Sequence, residues 1–163
     1  MPEDIAHGIH MAPGEGALIR NPAGGDLVFK ARGHETGGAL TVWESTAAPG
    51  EGPPLHTHKD QDELMYFLEG RFRVKLGGEL LDAPPGSVTF VPRGTPHTWQ
   101  NVADEIGRLL FLFVPAAPGM ETFFERAAAE HPDERVEVPF EKLGRDAGMD
   151  ILGPPLAQSD PVS

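Results

Sequence analysis

PPLHTHKDQDELMYFLEG, residues 53–70, sets two histidines one residue apart and follows them with a glutamate and an apolar run. On an extended strand the side-chain period is two, so His56 and His58 face the same way and offer two imidazoles to one point. Lys59-Asp60-Gln61-Asp62 reads as a turn, and Glu63 opens the next strand, where it can face back toward the pair. Taken alone, a histidine pair followed by acidic residues is also what a wet surface turn looks like.

Working outward, ELMYFLEG and RFRVKL meet at Glu69-Gly70, a hairpin signal. In the second run Phe72, Val74 and Leu76 alternate with Arg71, Arg73 and Lys75, one face for a core and one for water. Gly77-Gly78, Pro84-Pro85-Gly86 and Pro92-Arg93-Gly94 punctuate further short strands, including Ser87 to Val91. Upstream, ALTVWEST (39–46) is rich in β-branched and aromatic residues and runs into Ala47-Ala48-Pro49-Gly50, and Leu27-Val28-Phe29 predicts a first strand after an irregular lead-in over 1–25. RLLFLFV (108–114) is apolar almost throughout, which predicts a strand covered on both faces. Many short strands separated by turns predict an all-β sandwich or barrel over residues 26–118. Beyond it, over 119–163, Met120, Phe123, Phe124, Ala127 and Ala128 repeat at helical spacing up to His131-Pro132. A second short helix is expected at Phe140 to Ala147, stopped by Gly148, and DILGPPLAQSDPVS reads as a weakly ordered tail.

Composition narrows the function classes. The 163 residues suit one domain, and the absence of cysteine excludes disulfides, iron–sulfur clusters and thiolate metal sites. Any metal must be held by His, Asp, Glu or backbone oxygen. A formal charge of -12 argues against nucleic acid as a partner, since that affinity comes largely from lysine and arginine. No apolar run has membrane-span or signal-peptide length, which predicts a cytoplasmic protein with no membrane partner. The 20 glycines and 17 prolines penalise long helices and agree with a β-rich body.

A second segment, GSVTFVPRGTPHTWQN (86–101), places His97 behind a rigid Pro-x-Gly turn that can aim its imidazole inward. Together the segments resemble the two halves of the cupin signature. Gly50, His56, His58, Glu63 and Gly70 match Gly-x5-His-x-His-x4-Glu-x6-Gly, and Gly86, Pro92, Gly94, His97 and Asn101 match Gly-x5-Pro-x-Gly-x2-His-x3-Asn. The resemblance implies a cupin jelly-roll β-barrel, a double-stranded β-helix, with one or two short C-terminal helices. It also implies one divalent transition metal per chain, held by His56, His58, Glu63 and His97. The donor set admits iron, manganese, nickel, cobalt, copper or zinc. The matched glycines and Pro92 read as turn-forming residues, and Asn101 as a side chain bonding backbone near a strand end.

Strand parity sketches a pocket. If Glu63 points inward so do Met65 and Phe67, and if His97 does so does Trp99; Phe72, Val74, Phe90, Leu110 and Phe111 or Leu112 are further candidates for its lining. An apolar, aromatic-bearing cavity around a metal suits a small organic substrate with a planar or apolar body. The whole chain also looks like the small bacterial cupins called quercetinase-like. That resemblance implies a dioxygenase acting on a flavonol-like or other enediol or aromatic molecule with dioxygen, Glu63 being the catalytic base. Two alternatives stay open: a metal-dependent isomerase or cyclase that does not use dioxygen, resembling the polyketide cyclases, and a ligand-binding cupin without turnover. A homodimer is expected, with Leu27 to Phe29 either adding to a partner's sheet edge or closing its own barrel. His7, His10, His34 and His131 carry no site reading.

Overall fold

The computed structural model describes residues 8–20, 25–130 and 140–162. His7 and His131 lie outside them. Strands are β1 (Ala17–Arg20), β2 (Asp26–Ala31), β3 (Thr41–Ala47), β4 (Pro54–His58), β5 (Asp62–Glu69), β6 (Phe72–Leu76), β7 (Glu79–Ala83), β8 (Val88–Val91), β9 (His97–Asn101), β10 (Gly107–Val114) and β11 (Met149–Pro155). The helices are α1 (Pro118–Glu130), α2 (Phe140–Asp146) and α3 (Leu156–Ser159). Two sheets form a β-sandwich of the jelly-roll type. One has the order β1-β2-β3-β10-β5-β8 and the other β11-β4-β9-β6-β7, with every pairing antiparallel.

Alternation builds the core. Met65 and Phe67 on β5, Phe72 and Val74 on β6, Trp43 on β3 and Leu109, Phe111 and Phe113 on β10 are buried between the sheets. Rings meet at aromatic-pair distances: Trp43 stacks on Phe113 at 4.7 Å and meets Phe29 edge-on at 5.9 Å, and Phe67 lies 5.1 Å from Phe72. The hairpin predicted at Glu69-Gly70 forms, and Gly70 has φ +89°, with Gly107 Cα only 2.8 Å from where a β-carbon would stand. No other residue fits both conditions.

α1 lies against the barrel, with Phe124 meeting Trp43 at 5.4 Å. It is fixed by the buried Glu121 carboxylate, whose Oε1 accepts from the Gly33 N–H at 2.8 Å and the Thr41 hydroxyl at 2.6 Å.

Several sequence expectations need correction. β1 lies inside the stretch predicted as an irregular lead-in, and with Ala17 and Leu18 exposed it has little core-facing alternation to betray it. The predicted weak tail supplies β11, which pairs with β4, and α3, whose Leu156 is buried. Prolines survive in β11 because it is the sheet's edge and its register shifts twice. β10 is not fully covered on both faces: Leu109, Phe111 and Phe113 are buried, whereas Arg108, Leu110 and Leu112 are half-buried. β2 has β1 on one side and β3 on the other, so Leu27 to Phe29 complete the chain's own sheet and leave no edge for a partner.

Candidate metal centre

His56 and His58 project from β4, His97 from β9 and Glu63 from β5, so the second sheet supplies three imidazoles and the first a carboxylate. His56 pairs directly across the ladder with His97. One ligand-capable atom from each of the four residues lies within 4.8 Å of all the others. All four side chains are buried, His97 completely. Their approach is set by the turn before β9, where Gly94, at φ +80°, donates its N–H to the His58 carbonyl at 2.7 Å and so joins the two motif segments. Asn101 behaves as expected, its amide donating to the Ala47 and Glu105 carbonyls at 2.9 and 2.8 Å.

Hydrogen bonding prepares two of the rings as ligands. The Nδ1 of His56 lies 2.7 Å from the Pro54 carbonyl and that of His97 lies 2.9 Å from the Thr95 carbonyl. A carbonyl only accepts, so each Nδ1 carries the proton and each Nε2 is left with a lone pair directed into the cluster. The same backing of the distant nitrogen orients metal-binding imidazoles in general. His58 departs from this pattern: its Nδ1 is buried without a hydrogen-bond partner, and its ring instead meets Phe113 edge-on at 5.1 Å.

Glu63 Oε2 lies 2.6 Å from His97 Nε2 and 3.2 Å from His58 Nε2. With the His97 proton on Nδ1, a lone pair and a carboxylate oxygen face each other at hydrogen-bond distance, a contact that needs a cation. Without a metal it is a second proton on His97. Burial opposes the charged form of His97, but the adjacent Glu63 outweighs it and the pKa is raised. Burial likewise works against the Glu63 carboxylate, but the charge and hydrogen bonds of His97 and His58 hold it well below the usual range. Burial, helped by repulsion from His97 and His58, pulls His56 down to about 3, keeping it neutral. Neutral imidazole with a carboxylate is the protonation state a divalent ion requires, so the donor set fits a metal.

Glu63 is flanked across its ladder by Phe113 and Val91, which keep water from the carboxylate. Met65, Phe67, Phe72 and Val74 are buried, and half-buried Trp99 packs against the core with its ring 5.8 Å from Phe72. Two predicted lining residues face the other way. Phe90 is 55% exposed because it pairs with outward-pointing Leu64, one residue out of phase with Glu63. Leu110 pairs with Tyr66 and Glu44 on the outer face. Of the alternatives at 111 and 112, Phe111 points inward. Phe113 and Trp43 also face inward without a signal in the sequence. An all-apolar β10 hides its own parity, and the register Phe113 to Glu63 is what reveals it. His10 and His34 are exposed and stand apart from the cluster.

Comparison with known proteins agrees with this arrangement. Residues 43–113 match the Cupin domain family model. Over 70 residues, 43% of this chain, the sequence is 36% identical to the polyketide synthase protein CurC of Streptomyces cyaneus, covering 46% of that protein. It is 33% identical, also over 70 residues, to quercetin 2,3-dioxygenase of Bacillus subtilis, covering 21% of it. The chain thus spans about half or less of the length of these curated relatives. Among solved structures, KdgF from Halomonas sp. superposes with a TM-score of 0.62 at 22% identity, over 70% of this chain and 99% of that one. The family model lies on the strands that carry the four clustered side chains, so this part of the chain is similar to the Cupin domain family, and the fold is shared with KdgF.

Proposed function

We propose that this protein is a metal-dependent cupin enzyme that binds one divalent transition ion through His56, His58, Glu63 and His97 and acts on a small organic molecule bearing an acidic hydroxyl next to a carbonyl. The observation that carries the reading is the Glu63 oxygen set against two imidazole nitrogens at 2.6 and 3.2 Å in a buried, apolar-walled site. A divalent ion there supplies Lewis acidity, lowering the pKa of a coordinated hydroxyl and stabilising enolate charge. His56 and His97, backed by the Pro54 and Thr95 carbonyls, hold their rings fixed. Glu63 is the group placed to accept the substrate's proton at a carboxylate oxygen, and Phe113 and Val91 exclude the water that would compete for it. Met65, Phe67, Phe72 and Val74, buried in the core, and Trp99 packed against it are the side chains we assign to the inner wall for a planar or apolar substrate body.

The leading reaction is a dioxygenase type of oxygenation of a flavonol-like or enediol substrate in the cytoplasm, supported by the similarity to quercetin 2,3-dioxygenase. A second reading, turnover without dioxygen as an isomerase or cyclase, is favoured by the similarity to the polyketide synthase protein CurC. Metal-loaded protein is tested on a panel of flavonols, enediols and polyphenolic ketones with and without oxygen. Oxygen uptake abolished by Glu63→Gln supports the first reading, turnover that persists anaerobically selects the second, and ligand-induced stabilisation without turnover contradicts both.

A further inference from the structure

β4 carries two of the four candidate ligands, yet its ladder to the strand of the third is short. Toward β9 the register contains one pair, His56 with His97, flanked by the Thr98 hydroxyl donating to the Pro53 carbonyl at 2.7 Å and the Gly94 N–H donating to the His58 carbonyl. On its other side every residue of β4 has a partner in β11: Met149 opposite His58, Asp150 opposite Thr57, Ile151 opposite His56, Gly153 opposite Leu55 and Pro155 opposite Pro54. The Lys59 N–H extends that ladder by donating to the Gly148 carbonyl at 3.0 Å. The strand that presents His56 and His58 is thus seated on a C-terminal segment that lies outside residues 43–113, the span matching the family model.

β11 is a poor anchor by itself. It is an edge strand, its register shifts twice, and Pro154 and Pro155 have no N–H to donate. Its hold comes from beyond its end. Arg73 stands on the outward face of β6 yet is buried, and its guanidinium works as a fork. Nε and Nη2 donate to the Gln100 side-chain oxygen at 2.8 and 2.6 Å, and Nη2 also donates to the Leu156 carbonyl at 3.2 Å and to the Asp160 carbonyl. Gln100 lies on β9, the strand of His97, and Leu156 is fully buried. Lys75 adds its Nζ on the Asp160 carboxylate at 2.9 Å. A buried charge is tolerated when its donors are met, and two of the three residues that meet those of Arg73 belong to the C-terminal segment.

We propose that Arg73 is a positioning residue for the ion site: by clamping residues 149–160 across the outer face of the second sheet, it fixes β4, and with it His56 and His58, against His97 on β9. The inference rests on the metal reading of the four-residue cluster. Arg73 acts through the C-terminal segment, because its neighbours Phe72 and Val74 point into the core and it points out, away from the cluster. Lysine cannot reproduce the fork, since an ammonium is a point donor on a flexible stem.

The probe is cobalt(II), whose visible absorption reads its ligand set, with affinity measured by competition against a chelator. Arg73→Met is expected to weaken cobalt binding about tenfold or more, the scale on which a ligand's outer support acts, and to alter the absorption bands. Arg73→Lys, which keeps the charge, is expected to recover part of both. Glu121→Ala, whose partners are Gly33 and Thr41 rather than β11, is expected to lose stability while keeping the wild-type affinity and bands. Reciprocity supplies a readout that needs no variant, since an affinity that depends on the clamp obliges the ion to tighten it. Hydrogen exchange of the wild type is therefore expected to slow over 149–156 on cobalt loading, beyond any change at β7, the opposite edge of the same sheet. Wild-type protein that takes up no cobalt would overturn the role together with the four residues as a cobalt site. Where the wild type binds cobalt, an unchanged affinity in folded Arg73→Met, a loss matched by Glu121→Ala, or exchange over 149–156 no slower with cobalt than without would overturn the positioning role alone.

Discussion

At the residue scale, the four ligand candidates differ in what holds them, and the differences are measurable. With Glu63 Oε2 2.6 Å from its Nε2, His97 has its pKa raised when no metal is bound, so loading a divalent ion is expected to release protons. Calorimetry in buffers of different ionisation enthalpy checks this, and His97→Gln is expected to remove most of the release. His56 gives the opposite sign. Its folded pKa lies near 3 against an ordinary value of 6.5, so below pH 6.5 the unfolded chain takes up a proton that the folded chain refuses. Metal-free protein is therefore expected to lose stability as pH falls from 6.5 toward 3. His56→Asn is expected to flatten that part of the melting-temperature profile. Glu63 adds to the acid loss, since its depressed pKa contributes stability present above the ordinary carboxylate range and lost as pH falls through the folded value. Spacing alone left His56, His58 and Glu63 open between a site and a surface turn; the resemblance to the cupin signature implied the set with His97, and the four side chains do lie together. The orphaned Nδ1 of His58 and its replacement partner Phe113 were not legible, since they depend on a ladder between strands far apart in sequence.

At the scale of elements, strands with one apolar face announced themselves through alternation, as in β5 and β6, although Arg73 on the polar face of β6 is buried against Gln100 and Leu156, and α1 through its apolar stripe. Those that stayed hidden are edge elements, β1 and β11, where few side chains reach the core and glycine and proline disguise extended backbone. β8 shows a subtler failure. Its boundaries were read, but a short strand fits either parity, and only its register against β5 sends Val91 inward and Phe90 out. α1 is attached through its apolar face and one buried carboxylate. Glu121→Ala is expected to leave the Gly33 amide and the Thr41 hydroxyl without their acceptor and to lower stability by about 1–3 kcal/mol, as read by denaturant unfolding. Thr41→Val, which removes a donor to Glu121 and the acceptor of the Ala117 amide but leaves the Gly33 bond, is expected to destabilise as well.

For the whole molecule, the two-sheet arrangement divides the work: one sheet supplies three neutralisable bases, the other a carboxylate with apolar neighbours, and the ion site exists only where the sheets face each other. A metal bound by these four side chains would therefore be linked to the packing of the barrel as a whole. Saturating ion at about a thousand times its dissociation constant is expected to stabilise the fold by roughly 4 kcal/mol, visible as a concentration-dependent melting temperature. The most direct test of the central claim is elemental analysis of wild-type protein and of His97→Ala, each loaded in turn with iron, manganese, cobalt, nickel, copper and zinc and then freed of loosely held ion. The account predicts about one ion per chain for at least one of these metals in the wild type and a small fraction of that in the variant. Wild-type protein that retains none of them, or a folded variant that retains as much as the wild type, would contradict it.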